Sequence, residues 1–501
     1  MEYKWVALSN TTLGVLMASL DSNIVLIALP SIGKDLPNTS LLELLWILLG
    51  YQLVTASVLV NFGRLSDMFG RVKLYNFGFA LFTASSALCS LSQNGLELIA
   101  FRLIQALGAA FLFSNSAAII TDAFPETERG RALGINQVSI VAGSVIGLVL
   151  GGFLTAAVGW RSIFWVNIPI GVFATIWSHY RLRELASIQK GQKLDVLGNL
   201  TFAGGLALLL TGITLFAITS LSPTIFLSML ASGAGLIAVF IYVESKTPQP
   251  MFDLSLFKIR LFAAGNVAIL LNALSRGAVM LVLVFYLQGP TMGFTPLEAG
   301  IFLIPISASI AFFGPISGWL SDKYGARLLS SIGLVVSCIG FIMLTYIGRT
   351  ITFSQLAVPL VFIGSGMGIF AAPNRASIMN SVPAKERGVA SGTSTTLVNV
   401  GTTFSLGLAF LVMTVSTPLS DLEEIFLGSS GLGSAPWIGS FISSIHSVYY
   451  LSTAFLLVAI IPSVMRGNGH FKTPVVTLRG IDPNATDGKM LQEKTSRDSQ
   501  D

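Results

Sequence analysis

The chain has 501 residues, 53% of them apolar and 11% charged, with a formal net charge of +5 and a mean hydropathy of +0.77. Soluble globular proteins carry about 25% charged residues, so a soluble enzyme and a nucleic-acid binder are both excluded as primary readings. The composition is that of an all-α protein crossing a bilayer many times, and the positive balance lies in short connections, where bilayer orientation accounts for it without an anionic partner.

Fourteen apolar stretches are long enough to cross a hydrocarbon core of about 30 Å at about 1.5 Å per residue. They run over 6–33, 43–63, 74–92, 96–121, 132–157, 160–180, 196–218, 222–243, 260–287, 296–320, 327–347, 354–380, 388–415 and 441–465. The first is too long for a cleavable signal peptide, carries Asp21 in its interior and leads straight into further spans. With the N-terminus inside, the inner connections hold Arg64, Arg71, Lys73, Arg129, Arg131, Arg181, Arg183, Lys190, Lys193, Lys246, Lys258, Arg260, Lys323, Arg327, Lys385 and Arg387, and the outer ones only Lys34, Arg161 and Arg349. That asymmetry predicts a multi-pass cell-membrane protein with both termini in the cytoplasm. The outer connection 416–440, with Asp421, Glu423 and Glu424 and no Lys or Arg, agrees. The polar tail 466–501 has little to pack and is expected to be disordered. Cys89 and Cys338 fall in different spans, so neither a disulfide framework nor a metal cluster is expected.

The chain repeats itself. Gly63-Arg-Leu-Ser-Asp67-Met-Phe-Gly70 recurs as Gly318-Trp-Leu-Ser-Asp322-Lys-Tyr-Gly325 at an offset of 255, and Arg129-Gly130-x-x-x-Gly134 recurs as Arg387-Gly388-x-x-x-Gly392 at an offset of 258. Eight spans separate the members of each pair. This predicts two related six-helix halves, 1–181 and 259–465, with two inserted helices and linkers over 182–258. Related halves flanking a midplane site suit a transporter that rocks to open the site to each side in turn.

The motifs resemble those of the major facilitator superfamily and, within it, the fourteen-span drug:proton antiporters. Gly63-Arg-Leu-Ser-Asp67-Met-Phe-Gly70-Arg71 resembles the superfamily loop signature, with Met68 where a basic residue is common. Leu20-Asp21-Ser-Asn-Ile24-Val25-Leu-Ile-Ala28-Leu29-Pro30 is similar to the first-helix signature of the fourteen-span group, and Trp160-Arg161-Ser-Ile-Phe164-Trp-Val-Asn167-Ile-Pro169-Ile-Gly171 to its sixth-helix entrance. Arg102-Leu-Ile-Gln105-Ala-Leu-Gly108 is similar to the fourth-helix motif with Ala106 for a common Gly, and Gly143-Ser-Val-Ile-Gly147-Leu148-Val-Leu-Gly151-Gly152 to the fifth-helix antiporter motif with Leu148 for Pro. The resemblance implies a major facilitator fold of fourteen helices, proton-coupled export of lipophilic molecules as a monomer, and coupling roles for Asp21 and Arg102.

Read as residues, Asp21 and Arg102 lie at nearly the same depth, about 22 Å from the inner ends and about 9 Å from the outer ends of their spans respectively. A carboxylate at the bilayer centre costs about 2.5–3.5 kcal/mol. It therefore faces a cavity, pairs with a cation or is protonated; proton carriage and a static ion pair locking two helices both satisfy that requirement. Asp67 and Asp322 are placed to cap the following helix or to bind Arg71 or Arg327, a gating latch shaped by Gly63, Gly70 and Gly325, with a plain solvated turn as the alternative. Gly143, Gly147, Gly151 and Gly152 predict close helix packing. Gln105, Asn272, Arg276, Asn374, Arg375 and Asn399 are candidates for a substrate cavity, as is Asn266.

Enzyme motifs are absent. His179, His446 and His470 have no nearby metal-ligand partners, and there is no Walker sequence, so no cofactor or metal is expected and the energy source is an ion gradient. The leading expectation is a proton-coupled exporter acting on small molecules; a nutrient symporter and a non-transporting sensor or scaffold are the alternatives. Because Asp21 is the only acid clearly inside the membrane, neutral, monocationic or weakly acidic lipophilic substrates are expected in preference to bivalent cations.

Overall fold

A computed structural model describes residues 2–185, 194–219, 221–248, 250–383, 386–427 and 437–467, except for the side chains of residues 126, 127, 130 and 322. In chain order the first helices are α1 (Tyr3–Asp35), α2 (Leu41–Phe69), α3 (Arg71–Leu91), α4 (Gly95–Ala123), α5 (Glu126–Ala157), α6 (Ser162–Trp165) and α7 (Asn167–Arg181). Then come α8 (Val196–Ile218), α9 (Pro223–Lys246), α10 (Arg260–Arg276), α11 (Val279–Gln288), α12 (Pro296–Tyr324), α13 (Ala326–Leu344), α14 (Phe353–Asn380), α15 (Arg387–Ser416), α16 (Leu419–Leu427) and α17 (Ile438–Met465). No strand occurs among the described residues. In hydrocarbon every backbone polar group must be satisfied within its own segment, and helices do this.

Local sequence sets the ends. Ser40 and Glu43 form a capping box at the start of α2, as Thr295 and Glu298 do at α12. Gly70 (φ 106°) and Gly325 (φ 85°) make the two tight junctions α2–α3 and α12–α13, each donating its N–H to the serine four residues earlier at 2.9 Å. The repeated sequence thus builds the same turn twice.

Among the described residues, thirteen helical segments have the length and hydropathy to cross a membrane, against the fourteen expected. The missing one is the sixth, which Val166 divides into α6 and α7, leaving α7 with 15 residues. The ninth span is also divided, at Gly277–Ala278, where Ala278 N–H donates to Ser405 Oγ at 3.0 Å instead of to a helical carbonyl. Three further expectations change. Gly63 and Asp67 stand on the last turns of α2, not in a loop. The connection after α15 contains α16, whose Phe426 packs on Phe285 and Phe410. Of the tail, Arg466 is buried and bonded to Ser463, and residues 468–501 lie outside the described residues.

Two ends of the bundle are named here for residues found there, Arg71 and Trp160. Gly143, Gly147 and Gly151 let α5 ride against α1: a Cβ on Gly147 would lie 2.6 Å from Leu20 O. Gly152, on another face of α5, meets α12 near the Trp160 end, where a Cβ would lie 2.9 Å from Leu297 Cα, and Gly300 returns the contact 2.7 Å from Leu148 O. Close by, Gln288 Nε2 donates to Ile27 O at 2.9 Å and links α11 to α1. α15 lies along α2, with Thr403 Oγ1 donating to Gln52 Oε1 at 3.4 Å. α8 packs on α15 and on α2, where Asn199 donates to Ser57 O at 2.6 Å, whereas α9 rests mainly on α8 and buries only 11% of its most apolar window.

Candidate functional site

Asp21 and Arg102 meet inside the bundle. Both are fully buried, at 0% exposure, and Arg102 Nη1 donates to Asp21 Oδ2 at 2.5 Å. The other carboxylate oxygen, Oδ1, accepts from Gln105 Nε2 at 3.0 Å and from Asn167 Nδ2 at 2.8 Å. Gln105 is held by Arg102 Nη1 on its Oε1 (2.7 Å) and by its own bond to Ser86 Oγ (2.8 Å). Arg102 Nε reaches Ile47 O at 3.3 Å, and the guanidinium carbon lies 4.0 Å from the centre of the Tyr51 ring. The desolvation cost of two buried charges is thus offset by a pairing contact and by donors on the remaining lone pairs. Among the described residues, Arg102 Nη2 and Asn167 Oδ1 keep no partner here.

The backbone explains this convergence. α1 and α4 cross where Asp21 and Arg102 stand at similar depth, and Gln105 follows Arg102 by one helical turn. Asn167 arrives through the break at Val166, which makes it the first residue of α7. The preceding turn is fixed by Gly159 (φ 100°) and by Arg161, which stacks 4.4 Å from the Trp160 ring centre and donates to Ser92 O at 2.9 Å. Gln105, expected in the cavity, belongs to the Asp21 cluster.

A second charged cluster lies at the Arg71 end. Arg71 Nε donates to Asp67 Oδ1 at 2.7 Å, and its Nη1 straddles Asp122 at 2.7 and 2.8 Å. Glu184, just beyond α7, caps α3 by accepting from the backbone N–H groups of Arg71 (3.0 Å) and Val72 (2.9 Å). These contacts join α2, α3, α4 and the segment after α7. The sequence analysis does not single out Asp122 or Glu184; the available signal is an acid at or just past a helix C-terminus, where the dipole disfavours it, and for Glu184 its position beside Arg181 and Arg183. The Asp322 side chain lies outside the described residues.

The remaining candidates divide. Asn374 is buried and donates to Gly265 O at 3.1 Å, and Asn266 accepts from Ser394 at 2.7 Å, so both tie α10 to its neighbours. Arg375 is exposed between helices, with Nη1 3.3 Å from Gln137 Oε1 on α5 and Nη2 3.3 Å from Thr395 Oγ1 on α15. Asn399 is half-buried on α15. Arg276 is also half-buried, and among the described residues it has no hydrogen bond or ion pair.

Residues 11–406 match the sequence family described as Major Facilitator Superfamily. The chain belongs to that superfamily. Among its relatives, a riboflavin transporter of Clostridioides difficile is 33% identical over 82% of this chain and 88% of its own. The multidrug resistance protein Stp of Mycobacterium tuberculosis is 31% identical over 83% and 76%, and the tetracenomycin C resistance and export protein of Streptomyces glaucescens 28% identical over 83% and 77%. Among solved structures, an inward-facing bacterial homologue of the human lysosomal transporter Spinster superposes with a TM-score of 0.64 at 16% identity, covering 93% of this chain and 97% of that one. This major facilitator protein is therefore an all-helical, multi-pass membrane transporter, related by sequence to drug-export proteins.

Proposed function

We propose that the protein is a proton-coupled exporter of lipophilic small molecules, working as a monomer by alternating access. In this reading residues 1–181 and 259–465 are two six-helix halves, the residues between them supply two inserted helices, and α6 with α7 makes the fourteenth span. The Arg71 end, richest in Lys and Arg, faces the cytoplasm with both termini. The observation that carries the reading is the fully buried Asp21, held between Arg102, Gln105 and Asn167.

Protonation of Asp21 cancels its charge and frees Arg102 to lean on Gln105 Oε1 and Ile47 O, acceptors already in contact. The site therefore has two charge states with two bonding arrangements, which is what a proton must bias to drive a conformational change. Asp67, Arg71 and Asp122 fix the relative position of α2, α3 and α4 at the cytoplasmic end while the halves rock.

The testing experiment uses proteoliposomes. An inward-acidic pH gradient should drive accumulation of a lipophilic dye, with proton efflux counted against it; dye movement that ignores the gradient overturns proton coupling. Asp67→Ala should leave equilibrium binding within about two-fold and reduce turnover, because it loosens Arg71 without touching the Asp21 cluster. Loss of binding with normal saturated turnover would contradict that assignment. A second reading, carriage of a polar nutrient, is favoured by the similarity to a riboflavin transporter, and riboflavin belongs in the same proteoliposome panel.

A further inference from the structure

The two halves of the repeat treat the charge on their first span differently. At the offset of 255 that relates Gly63 to Gly318, Asp21 on α1 corresponds to Arg276 on α10. Asp21 has a full set of partners. Arg276 has none among the described residues, and α10, α11, α14, α15 and α17 contain no Asp or Glu. It stands 17 residues into the 29-residue span Arg260–Gln288, so its guanidinium is too deep to reach an interface by extension. It does not face outward with the exposed apolar residue of α10, Val267: nine residues further on, two and a half turns at about 3.6 residues per turn, Arg276 is on the opposite side.

Two further features beside it also seek negative charge. Asn272, one turn earlier on the same face, is 6% exposed and its Nδ2 donor has no acceptor. The break at Gly277–Ala278 then starts α11, a ten-residue helix whose positive dipole end follows directly on Arg276; the Ala278 N–H is taken by Ser405 Oγ, and the first-turn N–H groups after it make that end. Broken spans present such ends to anionic substrate groups. A buried donor without an acceptor and a guanidinium without a counter-ion each carry a desolvation cost that one anion removes.

We propose that Arg276, Asn272 and the first turn of α11 bind the anionic group of the transported molecule. Its substrates are then amphipathic monoanions, carboxylates or sulfonates on an apolar body. Arg375 adds a second positive charge roughly 16 Å nearer the Arg71 end by helix rise, and its contacts are a glutamine and a threonine. Asp21 does not repel the anion strongly, since Arg102 neutralises it. The inference rests on the chain being a transporter and narrows what it carries.

The test is equilibrium binding of dansylglycine and its neutral twin dansylglycinamide to the purified full-length protein in nanodiscs, read by fluorescence. The carboxylate should bind at least about ten-fold more tightly than the amide. Arg276→Gln should bring that ratio to about one, Arg276→Lys should keep part of it, and Asn272→Leu should weaken the carboxylate alone. Equal binding of the two probes by the wild type, or an undiminished ratio in Arg276→Gln, overturns the proposal. If Arg276→Gln does not fold, the wild-type ratio and the Arg276→Lys variant decide. Inorganic phosphate or chloride displacing dansylglycine at equal concentration would mark a site for free ions and also overturn it. Failure of the transport reading is seen separately, as no gradient-driven movement of any probe by wild-type proteoliposomes.

Discussion

Asp21→Asn is expected to abolish accumulation driven by a pH gradient while exchange of substrate across the membrane continues. The amide is nearly the size of the carboxyl, and its carbonyl oxygen can still accept from Arg102, which now lies 2.5 Å from Oδ2. It cannot titrate, so the site loses one of its two charge states. The comparison is made in one preparation of proteoliposomes: uptake against an imposed gradient, then counterflow with substrate on both sides. Uptake should fall by at least about ten-fold, the equivalent of about 1.4 kcal/mol of lost driving force, and counterflow should stay within about two-fold. A variant that still concentrates substrate in step with the proton gradient would remove Asp21 from the coupling step.

Arg102→Leu should destabilise the protein by about 3–5 kcal/mol, the cost typical of leaving one member of a buried ion pair behind. Asp21 would keep only amide donors, Gln105 Nε2 and Asn167 Nδ2, for a carboxylate at 0% exposure. Stacking on Tyr51, with the guanidinium carbon 4.0 Å from the ring centre, would go as well. The double variant Asp21→Asn/Arg102→Leu should recover more than half of the loss, because it removes both charges together. Unfolding midpoints of the four proteins in the same detergent give the cycle. Additive losses would mean that the two residues do not act as a pair.

Much of the architecture is legible in the sequence because a bilayer imposes a length and a hydropathy on every crossing helix. The seventh span, expected over 196–218, is α8 at those same bounds, and the equal depths of Asp21 and Arg102 follow from counting residues. What escapes the pattern depends on contacts between distant residues. The break of the ninth span needs Ser405 of α15 to take over the N–H of Ala278, and Gly277 alone does not mark it, since Gly265 stands inside the intact α10. The break at Val166 places Asn167 on Asp21, 146 positions away in the chain. Gln105 reads as a polar residue on a cavity face, yet Ser86 of α3 and Asp21 of α1 turn it into the bundle. α16 is nine residues long and amphipathic, too short for a span and hidden in a polar connection.

The contacts near the two ends of the bundle differ in kind. At the Trp160 end α5 and α12 touch through backbone at Gly152 and Gly300, and a Cβ on Gly33 would lie 3.0 Å from the carbonyl oxygen of Phe426. At the Arg71 end the contacts are part-exposed carboxylates around one guanidinium. Dispersion between close-packed backbones is indifferent to dissolved ions, whereas exposed charge is screened over about 8 Å in physiological salt. Ionic strength and the headgroup charge of the adjacent leaflet therefore act on the helix contacts of the Arg71 end more than on those of the Trp160 end, and two membranes of equal thickness but unequal surface charge would tune the same transporter differently.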